Sequence, residues 1–248
     1  MKKLYLLAAT VLLVGGCGLK TANYSDEQAI PLAEGRADSL LLSVSLDYPV
    51  KGAPDEVLDK ITQGILGTVF DLEEVDPGTV EETAIRYEDN LKDAYFNENL
   101  EYAAKGEGGV LSWEDRTNGY ISGRKDRFFS YMVEYYGFRG GVHGINTMTP
   151  VVFDRKTGDV IPEEAFFADD YRNPVALLIQ AHLPEALDND EEALSNIFDV
   201  ELVGPNGNYE VTKDGVTWYY QPYDIAPYDL GVISVTVPWK ELKSYVLK

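Results

Sequence analysis

Phe128-Phe129-Ser130-Tyr131-Met132-Val133-Glu134-Tyr135 is the stretch from which the fold is read. Phe129, Tyr131, Val133 and Tyr135 fall on one side of an extended chain, and Phe128, Ser130, Met132 and Glu134 on the other, because strand side chains alternate between faces. The next apolar run, Thr147 to Phe153, leads into Lys156-Thr157-Gly158-Asp159, a turn composition, as a hairpin does. Further upstream, Leu40, Leu42, Val44 and Leu46 alternate with Leu41, Ser43, Ser45 and Asp47. That is again a strand with one buried face.

Helical spacing surrounds these strands. Pro54 opens a helix in which Val57, Ile61, Ile65 and Val69 recur every fourth residue. A second runs from Val80 to about Ala104, with Val80, Ala84, Tyr87, Leu91, Ala94 and Tyr95 on one face. Helices are also expected at 162–170, at 173–187 with Pro174 in its first turn, and over Asp190 to Phe198. Pro205-Asn206-Gly207-Asn208 reads as a turn. Tyr209 to Lys213, Val216 to Tyr220 and Gly231 to Val237 read as strands, followed by Pro238 and a short helix carrying Trp239, Leu242 and Val246. The expected class is α+β, an antiparallel sheet with helices packed on one face. A boundary falls near residue 106, where Lys105-Gly106-Glu107-Gly108-Gly109 separates a helical module, 38–106, from a strand-rich domain, 107–248.

The 248 residues contain 42 Asp and Glu against 21 Lys and Arg, a net charge of -21. Nucleic-acid binding is disfavoured, since it rests on neutralising phosphates with cations. With 45% hydrophobic residues the chain can bury a core. Lys2 and Lys3, the apolar run Leu4 to Val14, and Val14-Gly15-Gly16-Cys17 have the order of a bacterial lipoprotein signal peptide, 1–16. The apolar run is shorter than the roughly 20 residues of a spanning helix. Cys17, the only Cys in the chain, is then the site of lipidation, with a palmitate-type acyl chain as the membrane anchor. Residues 17–37 have a tether composition. The expected location is the cell envelope, and Gly18 after the Cys points to the outer membrane in a two-membrane cell.

Two stretches are candidates for chemistry. Gly137-Phe138-Arg139-Gly140-Gly141-Val142-His143-Gly144 places four Gly in eight residues after a strand, which implies positive φ or a close backbone approach. It lacks the G-x-x-x-x-G-K-[ST] spacing of a phosphate loop. His143 reads either as a general base or metal ligand, or as a residue that hydrogen-bonds across the turn; the second reading is favoured. With two His and one Cys, and no H-E-x-x-H or Ca²⁺-loop pattern, no metal or other cofactor is expected. No G-x-S-x-G elbow is present, while a pair of carboxylates suited to glycoside hydrolysis leaves no sequence signature and stays open. The second stretch runs from Trp218 to Gly231 and carries Trp218, Tyr219, Tyr220, Tyr223 and Tyr228 among Pro and polar residues. Tyr and Trp provide rigid contact area with a polar tip, which suits a protein or sugar surface, although rings that close the core edge give the same pattern.

Gly140-Gly141-Val142-His143-Gly144, then Val152-Phe153-Asp154 with Thr157-Gly158, and Tyr220 to Tyr228 together resemble the RsiV-type C-terminal domain family. The resemblance covers about residues 127–248; residues 38–105 resemble the PdaC/RsiV-like N-terminal module only in their strand and paired-helix pattern. It implies an extracytoplasmic binding domain, with Gly140, Gly141, His143, Tyr220, Tyr223, Asp224 and Tyr228 on or near the binding face. The implied partner is a basic protein such as lysozyme, or a peptidoglycan fragment. A wall-glycan hydrolase using carboxylates or His143 is the alternative. The chain has no room for a deacetylase domain, and that activity is not implied.

Overall fold

The computed structural model describes residues 18–75, 78–106 and 109–247. The signal peptide and Cys17 expected from the sequence lie outside them. Among the described residues no helix is long and apolar enough to cross a membrane.

The stretch expected to be a tether is a strand. β1 (Lys20–Pro31) pairs antiparallel with β2 (Ser39–Lys51) along its whole length. Its polar composition follows from its place at a sheet edge, where Lys20, Ser25 and Glu27 cost little to expose and the charges disfavour pairing with foreign strands. Leu40, Leu42, Val44 and Leu46 of β2 are essentially fully buried, as their alternation implies.

After β2 the chain crosses the sheet as two helices, α1 (Asp55–Phe70) and α2 (Val80–Lys105). The first buries Val57, Leu58, Ile61, Ile65, Leu66 and Phe70. A capping box starts the second: Thr79 accepts from Glu82 N at 3.1 Å, and the Glu82 carboxylate accepts from Thr79 N at 2.8 Å. Gly106, with φ 68°, ends it. Its buried face includes three polar groups beyond the expected stripe, Thr83, Glu88 and Asn99.

The chain returns as β3 (Trp113–Lys125), β4 (Phe128–Phe138) and β5 (Ile145–Asp154) in a five-stranded sheet of order β1-β2-β3-β4-β5. All its pairs are antiparallel except β2 with β3, which run parallel because the helical crossover turns the chain round. The expected antiparallel sheet is therefore mixed, within an α+β fold. This sheet also runs through the boundary expected near residue 106, since β2 lies before it and β3 to β5 after it. Phe129, Tyr131 and Val133 pack with Ile61 and Ile65 of α1, so strands from one side share a core with a helix from the other.

The remaining chain forms a second layer. α3 (Glu163–Phe166), α4 (Arg172–Ala186) and α5 (Glu191–Ser195) precede β6 (Tyr209–Val211), β7 (Gly215–Tyr220) and β8 (Ile233–Pro238), and α6 (Trp239–Leu242) follows. The helices expected at 162–170 and 190–198 are shorter; Phe167 already has extended backbone. The three strands make an antiparallel sheet whose core includes Val175, Ile179 and Leu183 of α4 and Trp218 and Val235 of the sheet. The two sheets are joined at Ser130. Its buried hydroxyl donates to Val211 O at 3.0 Å and accepts from Val211 N at 2.8 Å.

Candidate functional site

The helices cover one face of the five-stranded sheet; the second layer packs on part of the other, at Ser130 and Val152, and leaves the rest of it open. Strand alternation and register place two rungs on that open face. One runs Ser25, Ser45, Asn118, Glu134, Met148 across the five strands; the next runs Glu27, Ser43, Arg116, Tyr136, Asn146. Most of these residues line a groove of about 610 Å³, flanked by Gly231 and Val232 from the second layer. An aromatic ring, short polar side chains, one guanidinium and one carboxylate therefore face a shared concavity. That mixture of apolar surface and a few convergent polar groups characterises small-molecule sites.

Glu134 is fixed from two directions. Tyr120 Oη donates to its Oε1 at 2.7 Å and Asn118 Nδ2 donates to its Oε2 at 3.2 Å. Arg116 forms an ion pair with Glu114.

The glycine-rich turn is the buttress of Tyr136. A Cβ on Gly144 would lie 2.6 Å from the Tyr136 ring, so only Gly lets the turn pack against that ring. The Gly144 carbonyl accepts hydrogen bonds from Tyr228 Oη and from His143 Nδ1, the latter at 3.0 Å. A carbonyl only accepts, so the His143 proton sits on Nδ1. The rings of His143 and Tyr228 stack with centroids 3.9 Å apart, and Tyr223 lies 5.8 Å beyond Tyr228. Gly140 and Gly141 turn the chain with φ of 81° and 94°, and Val110 O would stand 2.7 Å from a Cβ at Gly140. Tyr223, more than half exposed, also has φ 75°. A non-Gly residue there stores roughly 1 kcal/mol or more of strain, a feature that clusters at functional sites.

The root of the turn is held by a buried charge. Asp115, with no exposed surface, accepts from Arg139 Nη2 at 2.6 Å, Tyr87 Oη at 3.0 Å and Tyr135 Oη at 3.1 Å. Arg139 also lies 4.8 Å over the Trp113 ring. Burial, and then the Asp115 charge, raise the Tyr87 and Tyr135 hydroxyls, which keeps both as donors.

The two stretches singled out in the sequence thus meet through His143, Gly144 and Tyr228. Gly140, Gly141, His143, Tyr223 and Tyr228 form one ridge beside the groove. Tyr220 does not join it: its ring is in the second core and its hydroxyl donates to Gly204 O at 2.8 Å. Trp218 and Tyr219 are buried as well. Asp224 folds back to accept from Gln221 N at 2.7 Å, which closes the turn, and with Tyr220 it lines a separate cavity of about 480 Å³. Gln221 itself bonds the outer edge of β5, accepting from Met148 N at 3.0 Å and donating to Met148 O at 2.7 Å. His143 is exposed and lies outside the groove lining. Among the described residues no group of three or more His, Cys, Asp and Glu is placed to hold a metal ion.

Sequence reasoning missed the groove floor: Arg116, Asn118, Glu134, Tyr136 and Asn146. The alternation in β4 that directs Tyr135 toward the buried Asp115 turns Glu134 and Tyr136 to the opposite face, and that alternation is present in the sequence.

The fold and groove define an α+β protein with an open sheet face and an aromatic rim. Residues 164–240 match the model of a family described as "Protein of unknown function (DUF3298)". The match spans most of the second layer and the aromatic stretch but not the five-stranded sheet. No curated protein matches the chain. Two solved structures of similar fold carry the same family description. One, from Bacteroides fragilis, has a TM-score of 0.82 at 19% identity and covers 93% of this chain and 94% of that one. The other, from Pseudomonas aeruginosa, has a TM-score of 0.65 at 19% identity, with coverages of 94% and 97%.

Proposed function

We propose that this protein is a non-enzymatic binding module of the cell envelope, anchored by a lipid on Cys17, that holds wall glycan in the groove. The carrying observation is the Tyr136 ring, backed by Gly144 and facing a concavity with Arg116, Asn118, Glu134 and Asn146 around it. A sugar has apolar ring faces and hydroxyl edges, and an aromatic wall with amide, guanidinium and carboxylate groups matches both. The extracytoplasmic use also rests on the resemblance to the RsiV-type domain. Against catalysis by His143 stands its engagement with Gly144 O and Tyr228 away from the groove.

The test is calorimetric titration of the full chain with N-acetylglucosamine oligomers, together with cosedimentation with peptidoglycan sacculi. Binding that Tyr136→Ala weakens at least about tenfold supports the reading. Undiminished binding by that variant, or release of soluble sugar by the purified protein, defeats it. The anchor is tested by palmitate labelling, which Cys17→Ser abolishes.

The net charge of -21 favours a second reading, a basic protein such as lysozyme as partner. Lysozyme binding that collapses with salt and is indifferent to Tyr136→Ala would select it.

A further inference from the structure

The groove has an unbalanced charge. Arg116 is matched by its ion pair with Glu114, whereas among the described residues no cation pairs with Glu134. Each Glu134 oxygen accepts one hydrogen bond, from Tyr120 or Asn118, and a carboxylate oxygen has two acceptor positions, so one on each oxygen is left for a ligand. The two donors also fix the direction in which those positions point. A second acid, Glu210, stands behind Tyr120; it is buried and accepts from Tyr219 Oη at 2.6 Å. Burial, with Glu134 and then Glu210 nearby, raises the Tyr120 hydroxyl, so it keeps the proton it donates to Glu134.

Glu134 precedes Tyr136 by two residues on the same strand face, a separation of roughly 6.5 Å along the strand. A sugar ring lying on the groove side of Tyr136 therefore carries its ring substituents toward a preorganised carboxylate. On the neighbouring strands the same ring meets Arg116 and Asn146, which satisfy hydroxyls. An ammonium substituent supplies the missing cation and donates hydrogen bonds, whereas an N-acetyl group supplies one N–H and no charge.

We propose that the groove selects glycan carrying free amino groups over the N-acetylated chain, with Glu134 as the specificity-determining residue. This rests on the glycan-binding reading above.

The experiment is calorimetric titration of the full chain with a glucosamine hexamer, an N-acetylglucosamine hexamer and trilysine, at about 50 and 300 mM salt. The amino hexamer is expected to bind about tenfold or more tightly than the acetylated one at low salt, with the margin shrinking at high salt. Glu134→Gln is expected to erase that margin because the amino hexamer loses at least about tenfold more affinity than the acetylated one, whereas a merely structural role for Glu134 would weaken both alike. Equal binding of the two hexamers by the parent chain, a margin that survives Glu134→Gln, or trilysine binding as tightly as the amino hexamer overturns the selectivity and leaves glycan binding standing in the first two cases. Failure of both hexamers to bind removes the glycan reading and the selectivity together.

Discussion

His143 stacks on Tyr228 with ring centroids 3.9 Å apart and planes 25° from parallel, and both donate a hydrogen bond to the Gly144 carbonyl. One backbone oxygen is thus the meeting point of two segments more than eighty residues apart. Tyr228→Phe keeps the stack and removes one donor, so it is expected to cost about 1 kcal/mol. Tyr228→Ala removes both and is expected to cost about 2 kcal/mol. Urea denaturation of the two variants separates the hydroxyl from the ring.

Gly144→Ala brings a Cβ within 2.6 Å of the Tyr136 ring, whose far end can swing aside. The expected stability loss is about 1 kcal/mol, because a mobile ring relieves the clash. The displaced ring no longer lines the groove, so glycan affinity is expected to fall at least about tenfold. Titration and denaturation on one sample check that binding suffers more than folding.

Asp115→Ala strands three donors, Arg139, Tyr87 and Tyr135, around an emptied buried position. Removing one partner of a buried ion pair leaves the other uncompensated, and a loss of about 2 to 4 kcal/mol is expected. Since Arg139 directly precedes Gly140, the turn is expected to loosen as well, visible as faster amide exchange at residues 140–144.

Glu88 gives a pH dependence. It is nearly fully buried on α2, where Tyr24 Oη and Gln28 Nε2 of β1 donate to it at 3.0 and 2.9 Å. Burial pushes its carboxyl up to about 7; the hydrogen bond from Tyr24 and the charge of Lys92 pull the other way, and Asp26 adds to the rise. A carboxyl raised above its unfolded value of roughly 4.3 contributes its full stability below that pH and loses it as pH rises through about 7. The chain is thus expected to lose up to about 3 kcal/mol from this group between pH 4 and pH 8. Glu88→Gln is expected to flatten that slope, and melting curves across the interval check it.

The parts of the fold that were legible in the sequence are those written in periodicity. Leu40 to Leu46 and Phe129 to Val133 face the core as their alternation requires, and Val57, Ile61 and Ile65 do so on α1. β1 was not legible because an edge strand has one pairing side and little to bury, so its composition matches that of a tether. The parallel pairing of β2 with β3 was hidden too: an alternating strand does not say which way its neighbour runs. The closeness of the Gly140 to His143 turn to Tyr223 and Tyr228 brings together two stretches that stand out in the sequence because glycine density and ring density are local. The nearness of Glu134 and Arg116 is not local, since they are brought together only by the register of two strands, β3 and β4. Tyr220 was misplaced because β7 is buried on both faces, leaving no alternation to separate rim from interior.

Gln221 has an effect that reaches past its own chain. Its side-chain amide offers Met148 the same donor and acceptor that another strand's backbone would, so it occupies the seat at which β5 could recruit a neighbouring copy. Among the described residues no strand pairs with the opposite margin, β1, which exposes Lys20, Glu27 and a terminal Pro31. Such blocked and repelling borders disfavour edge-to-edge zipping of copies into ribbons.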